Sequence, residues 1–192
     1  MKEKIKHILT KRKHIDLRQN GAVPAAVLIP IFCECGANHV LFTKRTSLVR
    51  HHKGQISFPG GAQHHPDEPL DETARRETFE EIGVAPEHID ILGRLDQILT
   101  ITNYVVTPFV GLIPYPYKFE LNPHEVEELI APPLAFIMNP ENMVKGTMEF
   151  EGRVLETEQY TYHGHIIWGA TARIIKILRE TLGNEALSFD DC

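Results

Sequence analysis

The chain has 192 residues, of which 42% are hydrophobic and 24% charged, and its formal net charge is −6 at pH 7. This length and composition predict one soluble globular domain over residues 1–192. The acidic balance argues against a dedicated nucleic-acid binder, whose footprint is usually basic.

The sequence shows no sign of export or membrane insertion. No apolar run is long enough to cross a bilayer, and residues 1–9 lack the apolar core and cleavage site of a signal peptide. Cys33, Cys35 and Cys192 stand at no framework spacing, which favours a reducing compartment. A structural zinc site at Cys33, Cys35 and His39 is disfavoured, because no second Cys/His pair stands at finger-like spacing. We expect a cytoplasmic protein with no membrane or nucleic-acid partner, and a homodimer stays open.

The first elements are predicted from the spacing of apolar residues. Residues 1–20 are predicted to form an amphipathic helix, because Ile5 and Leu9 recur at helical spacing among lysines. The continuous apolar run 25–32 predicts a buried strand, and residues 39–43 its return strand.

Residues 41–84 fall into two halves of opposite charge. No Asp or Glu occurs between Cys35 and Pro66. Within this half, a predicted loop over 44–57 carries the basic residues Lys44, Arg45, Arg50, His51, His52 and Lys53. The second half carries the acids Asp67, Glu68, Asp71, Glu72, Glu77, Glu80 and Glu81. Between the halves, the sequence Phe58-Pro59-Gly60-Gly61 predicts a turn whose glycines let the backbone approach a ligand phosphate. This order indicates a site for a polyanion held beside bound metal.

The acidic half is predicted to be a helix over residues 69–82. Pro69 suits its first turn and Gly83 its end. Glu77, Glu80 and Glu81 fall within an arc of about 100° on this helix. Carboxylates this close repel one another, and a hard cation such as Mg²⁺ reverses that cost. Taken alone, the helix favours a solvated acidic face, partly offset by Arg75 and Arg76, over a metal site. Phe79 and Ile82 point away from this arc and are expected to anchor the helix in the core.

The remaining pattern alternates between strands and breakers. Residues 89–99 and 104–113 are predicted strands, 114–117 a loop, 124–129 an acidic segment, and 148–165 a hairpin. Residues 168–182 predict a closing amphipathic helix in which Thr171, Ala172, Ile175, Leu178 and Leu182 share a face. The tail 184–192 is expected to fray.

The segment from Arg76 to Val84 (Arg-Glu-Thr-Phe-Glu-Glu-Ile-Gly-Val) resembles the core of the Nudix box, and the paired glycines precede it at a suitable distance. The box places a glutamate six positions after its glycine. Here Asp67 stands at six and Glu68 at seven, so either acid is a candidate for that place. The resemblance implies an α/β/α sandwich with a mixed sheet and a loop–helix–loop metal site.

The arm before the box resembles the Nudix subfamily that hydrolyses coenzyme A. It runs Leu41-Phe42-Thr43-Lys44-Arg45-Thr46, then Arg50, Gly54 and Phe58-Pro59-Gly60-Gly61. This likeness implies hydrolysis of the diphosphate of CoA or acyl-CoA to 3′,5′-ADP and (acyl-)4′-phosphopantetheine, with Mg²⁺ or Mn²⁺.

Roles for individual residues follow from this resemblance. Glu77 and Glu81 are expected to bind metal directly, with Glu80 as a ligand or as the base. Glu80 and Glu125 are the two candidates for the catalytic general base. The residues assigned to substrate binding are Arg45, Arg50, His51, Lys53, Gly54, Phe58, Gly60 and Gly61, with Arg45 and Arg50 on phosphate because a forked guanidinium matches phosphate oxygens. His51 and Lys53 are assigned to the 3′-phosphate of CoA.

Three other interpretations are considered. The first is a Nudix hydrolase of ADP-ribose, NADH or a dinucleoside polyphosphate, with the same metal ligands. The second is a non-catalytic ligand sensor on the same scaffold, against which the intact glutamates argue. The third is a transition-metal site at the histidines, which we disfavour because adjacent histidines commonly lie in solvated loops.

Overall fold

The computed structural model of the protein describes residues 1–17, 20–47, 54–150 and 152–183. The helices are α1 (Lys2–Lys11), α2 (Leu70–Ile82), α3 (Leu134–Met138) and α4 (Gly169–Leu182), and short 3₁₀ turns lie at Pro86–His88 and Pro140–Asn142. The strands are β1 (Val23–Glu34), β2 (Ala37–Val40), β3 (Phe42–Arg45), β4 (Ile56–Ser57), β5 (Gly60–Ala62), β6 (Asp90–Arg94), β7 (Ile98–Leu99), β8 (Tyr104–Leu112), β9 (Val126–Ile130), β10 (Met143–Phe150), β11 (Arg153–Tyr162) and β12 (His165–Trp168).

The main sheet is mixed and is built around β1. One edge of β1 takes β8 in parallel, from the pair Val23–Tyr104 to the pair Ile31–Leu112. Its other edge is shared by two antiparallel strands, β5 near the start of β1 and β2 near its end. Strands β6 and β7 extend the sheet beyond β8. Two smaller antiparallel sheets have the orders β4-β3-β9 and β10-β11-β12.

Helices cover both faces of the main sheet, as its near-continuous apolar central strand requires. On one face, Ala26 and Leu28 of β1 pack in a cluster with Ala74 and Ile82 of α2. On the other face, Ile29 of β1 packs in a second cluster with the buried residues of α1, α3 and α4, which include Ile5, Leu9, Leu134, Ile175 and Leu178. These three layers confirm the predicted α/β/α sandwich.

The segment after α1 is tied to the loop between β6 and β7. Arg12 forms an ion pair with Asp96, and the Ile15 amide donates to Asp96 Oδ1 at 2.9 Å. The Leu17 amide donates to Gln97 Oε1 at 2.7 Å. A longer helix was predicted here, but the backbone groups of Ile15 and Leu17 bond to this loop instead of continuing α1.

Several sequence expectations differ from the structure. The first helix ends at Lys11, and the predicted turn at Gly60–Gly61 is a short strand, because its backbone pairs with β1. Residues 148–165 belong to a sheet of three strands that begins at Met143. Phe79 was expected in the core, but it is 52% exposed. Cys35 is a free, exposed cysteine. The tail 184–192 lies outside the described residues.

Candidate active site

The floor of the site is the contact between β5 and the carboxylate of Glu77. Gly61 pairs with Ala26 of β1, which places the glycine backbone beneath α2. A Cβ atom built on Gly61 would lie 2.4 Å from Glu77 Oε2. The absence of a side chain at Gly61 is therefore what allows the Glu77 carboxylate to lie against the strand.

Helix α2 presents its glutamates at different depths. The helix begins after Pro69, carries Asp71 and Glu72 at its positive end, and ends at Gly83 in the left-handed conformation, whose amide donates to Phe79 O at 2.9 Å. The Glu81 side chain is only 2% exposed, that of Glu77 is 13% exposed, and that of Glu80 is 46% exposed. The three glutamates that were predicted to share one arc of the helix therefore differ in burial, from the buried Glu81 to the exposed Glu80.

Arg76 holds the carboxylates together on the solvent side. Its Nε donates to Glu68 Oε1 at 2.9 Å and its Nη1 to Glu77 Oε1 at 2.7 Å, while Nη1 lies 3.4 Å from Glu80. Its Nη2 donates to the carbonyl of Ala62 at 3.1 Å. The hydrogen bond from Arg76 lowers the pKa of Glu68 to about 2. Asp67 is exposed, so Glu68 is the acid that joins the cluster, a choice that counting positions left open.

Glu81 lies opposite Arg45 of β3. The Arg45 Nη1 atom lies 3.6 Å from Glu81 Oε1. Within the described part of the chain, Glu81 Oε2 and Arg45 Nε are buried without a hydrogen-bond partner. Burial raises the pKa of Glu81 to about 8; Arg45 opposes this rise, and the charges of Glu125 and Glu77 add to it. Burial also raises the pKa of Glu77, although Arg76 opposes the rise.

Glu125 reaches the site through the pairing of β3 with β9. The Thr46 amide donates to Glu125 O at 2.9 Å, and Thr46 Oγ1 donates to His124 O at 3.0 Å. Asn122 lies between this loop and α2, since its amide donates to Glu81 O at 2.9 Å and its side chain to Glu125 Oε1 at 3.1 Å. Sequence reasoning did not find Asn122, because its role depends on a contact between segments some forty residues apart.

Only some of the residues assigned to substrate binding lie at the site in the described part of the chain. Arg45 faces Glu81, and Gly54 lies beside Arg45, because its amide donates to Arg45 O at 3.1 Å. Arg50, His51 and Lys53 lie outside the described residues. Phe58 is 2% exposed and stacks on Phe42 with ring centroids 4.6 Å apart, so it is a core residue and does not line the site.

The donor set fits a hard divalent cation. It consists of carboxylate oxygens, which Mg²⁺ and Mn²⁺ prefer. The buried Glu81 Oε2 atom without a partner and the cradle that Gly61 leaves for Glu77 are features that a cation would complete. No three acidic, histidine or cysteine side chains of the described residues already converge to hold an ion. Arg76 donates to Glu77 Oε1 at 2.7 Å and so holds this carboxylate in place.

A mixed sheet between helices, with a glycine strand beside an acidic helix that carries buried carboxylates, fits a hydrolase whose site could hold a divalent cation. A family model for the NUDIX domain matches residues 23–150. The chain therefore belongs to the Nudix family and is a Nudix hydrolase.

Two relatives in the Nudix family are similar to this chain over most of their length. The chain is 35% identical over 156 residues to an uncharacterized Nudix hydrolase, NudL, of Photorhabdus laumondii, covering 81% of this chain and 83% of the relative. It is 37% identical over 155 residues to NudL of Pectobacterium atrosepticum, covering 79% and 78%.

Solved structures confirm the fold. A MutT/nudix family protein from Enterococcus faecalis aligns with a TM-score of 0.55 at 14% identity, covering 90% of this chain and 66% of that one. The NUDIX domain of Shewanella oneidensis NrtR, solved with ADP ribose, aligns with a TM-score of 0.53 at 16% identity, covering 86% and 91%. Among the described residues, no helix is both long and apolar enough to span a membrane.

Proposed function

We propose that this Nudix hydrolase cleaves the diphosphate of coenzyme A or an acyl-CoA. The observation that carries the proposal is the connection of the basic arm to the acidic site through β3. Arg45, the arginine of Lys44-Arg45-Thr46, lies 3.6 Å from the buried Glu81, and Gly54 closes the arm beside it. Arg50, His51 and Lys53 lie between these two points in the sequence, so the arm leaves from and returns to the edge of the acidic cluster.

The reaction is attack of water on one phosphorus of the diphosphate. A new O–P bond forms, the bridging P–O bond breaks, and the products are 3′,5′-ADP and (acyl-)4′-phosphopantetheine. Mg²⁺ or Mn²⁺, when bound, neutralises phosphate charge and lowers the pKa of bound water. Glu77 and Glu81 would hold the ion, with Glu80 as a further ligand, and Arg45 and Arg50 would bind phosphate oxygens.

A general base must accept the proton of the attacking water. Glu125 is the better of the two candidates, because Asn122 and the Thr46 contacts hold it next to Glu81, whereas the Glu80 side chain is 46% exposed. Glu125→Gln is then expected to lower kcat by about 10²-fold or more. Glu80→Gln is the comparison variant, and a larger loss of kcat in that variant at saturating metal would transfer the role of base to Glu80.

The test of the substrate is a panel of compounds offered to the protein with Mg²⁺ or Mn²⁺. CoA, acetyl-CoA, a long acyl-CoA, dephospho-CoA, ADP-ribose and NADH are incubated separately, and the products are identified by mass. We expect CoA species to be cleaved with the highest kcat/KM. Cleavage of ADP-ribose with CoA left intact would reject the proposal, and binding without turnover of any compound would favour the ligand sensor.

The arm is tested separately from the chemistry. Arg50→Ala is expected to raise KM for CoA more than for dephospho-CoA, because only CoA carries the 3′-phosphate that this region would bind. Lys4→Ala, an exposed lysine of α1, is the matched control for the loss of a positive charge. Equal effects of Arg50→Ala on both substrates would remove the 3′-phosphate role from this arm.

A further inference from the structure

The sheet β10-β11-β12 ends in a strand whose outer edge is unpaired within the described residues. Among the residues that the structure describes, strand β10 pairs only with β11, from Met143–Tyr160 to Phe150–Arg153. Its eight residues contain no proline, and no register shift interrupts the pairing. A long regular edge of this kind is a template for another strand.

The backbone groups that face outward can be assigned from the hairpin. Two residues separate Phe150 from its partner Arg153, and in such hairpins the flanking pair is hydrogen-bonded. Alternation along the strand then turns the amides and carbonyls of Lys145, Thr147 and Glu149 away from β11. The Thr147 carbonyl is consistent with this assignment. It accepts a hydrogen bond at 3.4 Å from the side-chain atom Gln159 Nε2, which lies against Gly146, and not from a backbone amide of β11.

The same three residues form a self-complementary pattern. Lys145, Thr147 and Glu149 are all exposed, and neither charged side chain has an ion-pair partner among the described residues. If a second β10 runs antiparallel with Thr147 opposite Thr147, each Lys145 stands directly opposite a Glu149. Centring the pair on Lys145 or on Glu149 would instead place like charges opposite each other, which destabilises a sheet.

We propose that β10 is a docking edge for a second copy of this chain, which joins the two three-stranded sheets across a two-fold axis at Thr147. The register that pairs the opposite charges is also one in which the outward backbone groups meet as hydrogen-bonded pairs. Lys145 meanwhile disfavours pairing with an apolar or basic strand, so the edge selects its own copy. A symmetric contact of this kind presents the same surface on both partners.

The test is the mass of the full chain in sedimentation velocity across a concentration series. The wild type is expected to shift to the mass of two chains as concentration rises. Lys145→Glu and Glu149→Lys should each stay at the mass of one chain, because each places like charges opposite one another. The double variant Lys145→Glu/Glu149→Lys should recover the dimer, since it exchanges the charges within every pair.

Two controls keep the test decisive. Lys4→Glu makes the same change of charge on the exposed face of α1 and should leave the dimer intact. Thr147→Pro removes an outward amide, which a free edge strand tolerates, so the chain should keep its melting temperature and lose the dimer. A wild type that stays monomeric throughout, a Lys145→Glu variant that dimerises like the wild type, or a folded double variant that stays monomeric would overturn the proposal.

The proposed edge is independent of the proposed activity. Glu77, Glu81 and Arg45 belong to α2 and β3, and none of them touches β10 in the described hydrogen bonds and ion pairs. Monomeric variants are therefore expected to retain wild-type kcat/KM on whichever substrate the panel identifies, and a coupled loss of activity would contradict this separation.

Discussion

Gly61 is the residue at which the backbone of the sheet and a candidate metal ligand come into contact. In Gly61→Ala the new methyl group would occupy the place of the Glu77 carboxylate. The neighbour that must move is the end of a flexible side chain, so we expect little change in melting temperature and a fall in kcat/KM of about 10²-fold, as for other small misplacements of catalytic groups. Unchanged kinetics would show that Glu77 does not need this position.

Gly60 provides the contrast to this variant. A Cβ at Gly60 would lie 2.3 Å from the carbonyl oxygen of Ala26, which is backbone and cannot move aside. Gly60→Ala should therefore lower the melting temperature, whereas Gly61→Ala should not. Both glycines pair with β1, and they differ in what an added side chain would displace, which is backbone at Gly60 and the Glu77 carboxylate at Gly61.

The Glu81 carboxylate is expected to lower the stability of the metal-free protein and to be needed for metal binding. Glu81→Gln removes a buried carboxylate, so in EDTA the variant should be at least as stable as the wild type. Saturating Mg²⁺ should stabilise the wild type by about 2.7 kcal/mol at a hundredfold excess over its Kd and leave the variant unchanged. Thermal melts with and without metal measure both effects, and a wild-type-like metal shift in Glu81→Gln would exclude it as a ligand.

Residues 12–17 form no helix or strand, but side-chain and backbone bonds to Asp96 fix this segment on the main sheet. Asp96 binds both the Arg12 side chain and the Ile15 amide, and it is buried. We expect Asp96→Ala to cost about 1–2 kcal/mol, because it leaves two partly buried donors without their acceptor. Asp16→Ala removes a similar carboxylate–arginine pair, with Arg94, from an exposed position and should cost less than about 1 kcal/mol. Urea unfolding of both variants compares the two, and equal losses would contradict the difference in burial.

Elements with strong local patterns were predictable and those defined by pairing were not. The apolar run of β1, the capped helix α2 and the amphipathic face of α4 were all confirmed, because each is specified by its own residues. Strand β5 was missed because paired glycines indicate a turn unless a neighbouring strand supplies their hydrogen bonds. Helix α3 is only five residues long and was not predicted.

The same distinction applies to the candidate site. Glu77 and Glu81 could be named from helical spacing and family resemblance, and the structure brings both into the acidic cluster. Phe58 was assigned to substrate binding from the family resemblance, but it is buried against Phe42, a contact between separate strands that sequence spacing does not reveal. Phe79 was predicted to anchor α2 in the core but is exposed, because α2 packs on β1 through another face that includes Ala74 and Ile82.

At the scale of the whole molecule, the buried carboxylate makes stability depend on pH. The folded pKa of Glu81 is about 8, above its ordinary value of 4.5, so the folded state binds more protons between these limits. Stability of the metal-free protein should therefore be greatest near the lower limit and fall as pH rises through the folded pKa, by an amount on the order of a few kcal/mol. Chemical unfolding in EDTA at a series of pH values measures this slope. Glu81→Gln should flatten it, and an equal slope in the variant would assign the pH dependence to other groups.

The division of one edge of β1 between two strands has a consequence for how this protein can diverge. The segment that pairs with the start of β1 carries the glycines of the candidate site, so changes there disturb strand pairing or the position of Glu77. The connection from Arg45, where β3 ends, to Ile56, where β4 begins, does not pair with β1 in this way. If this connection selects the substrate as proposed, substitutions in it leave the Glu77 position untouched, so preference for substrate should evolve faster than the hydrolytic chemistry itself.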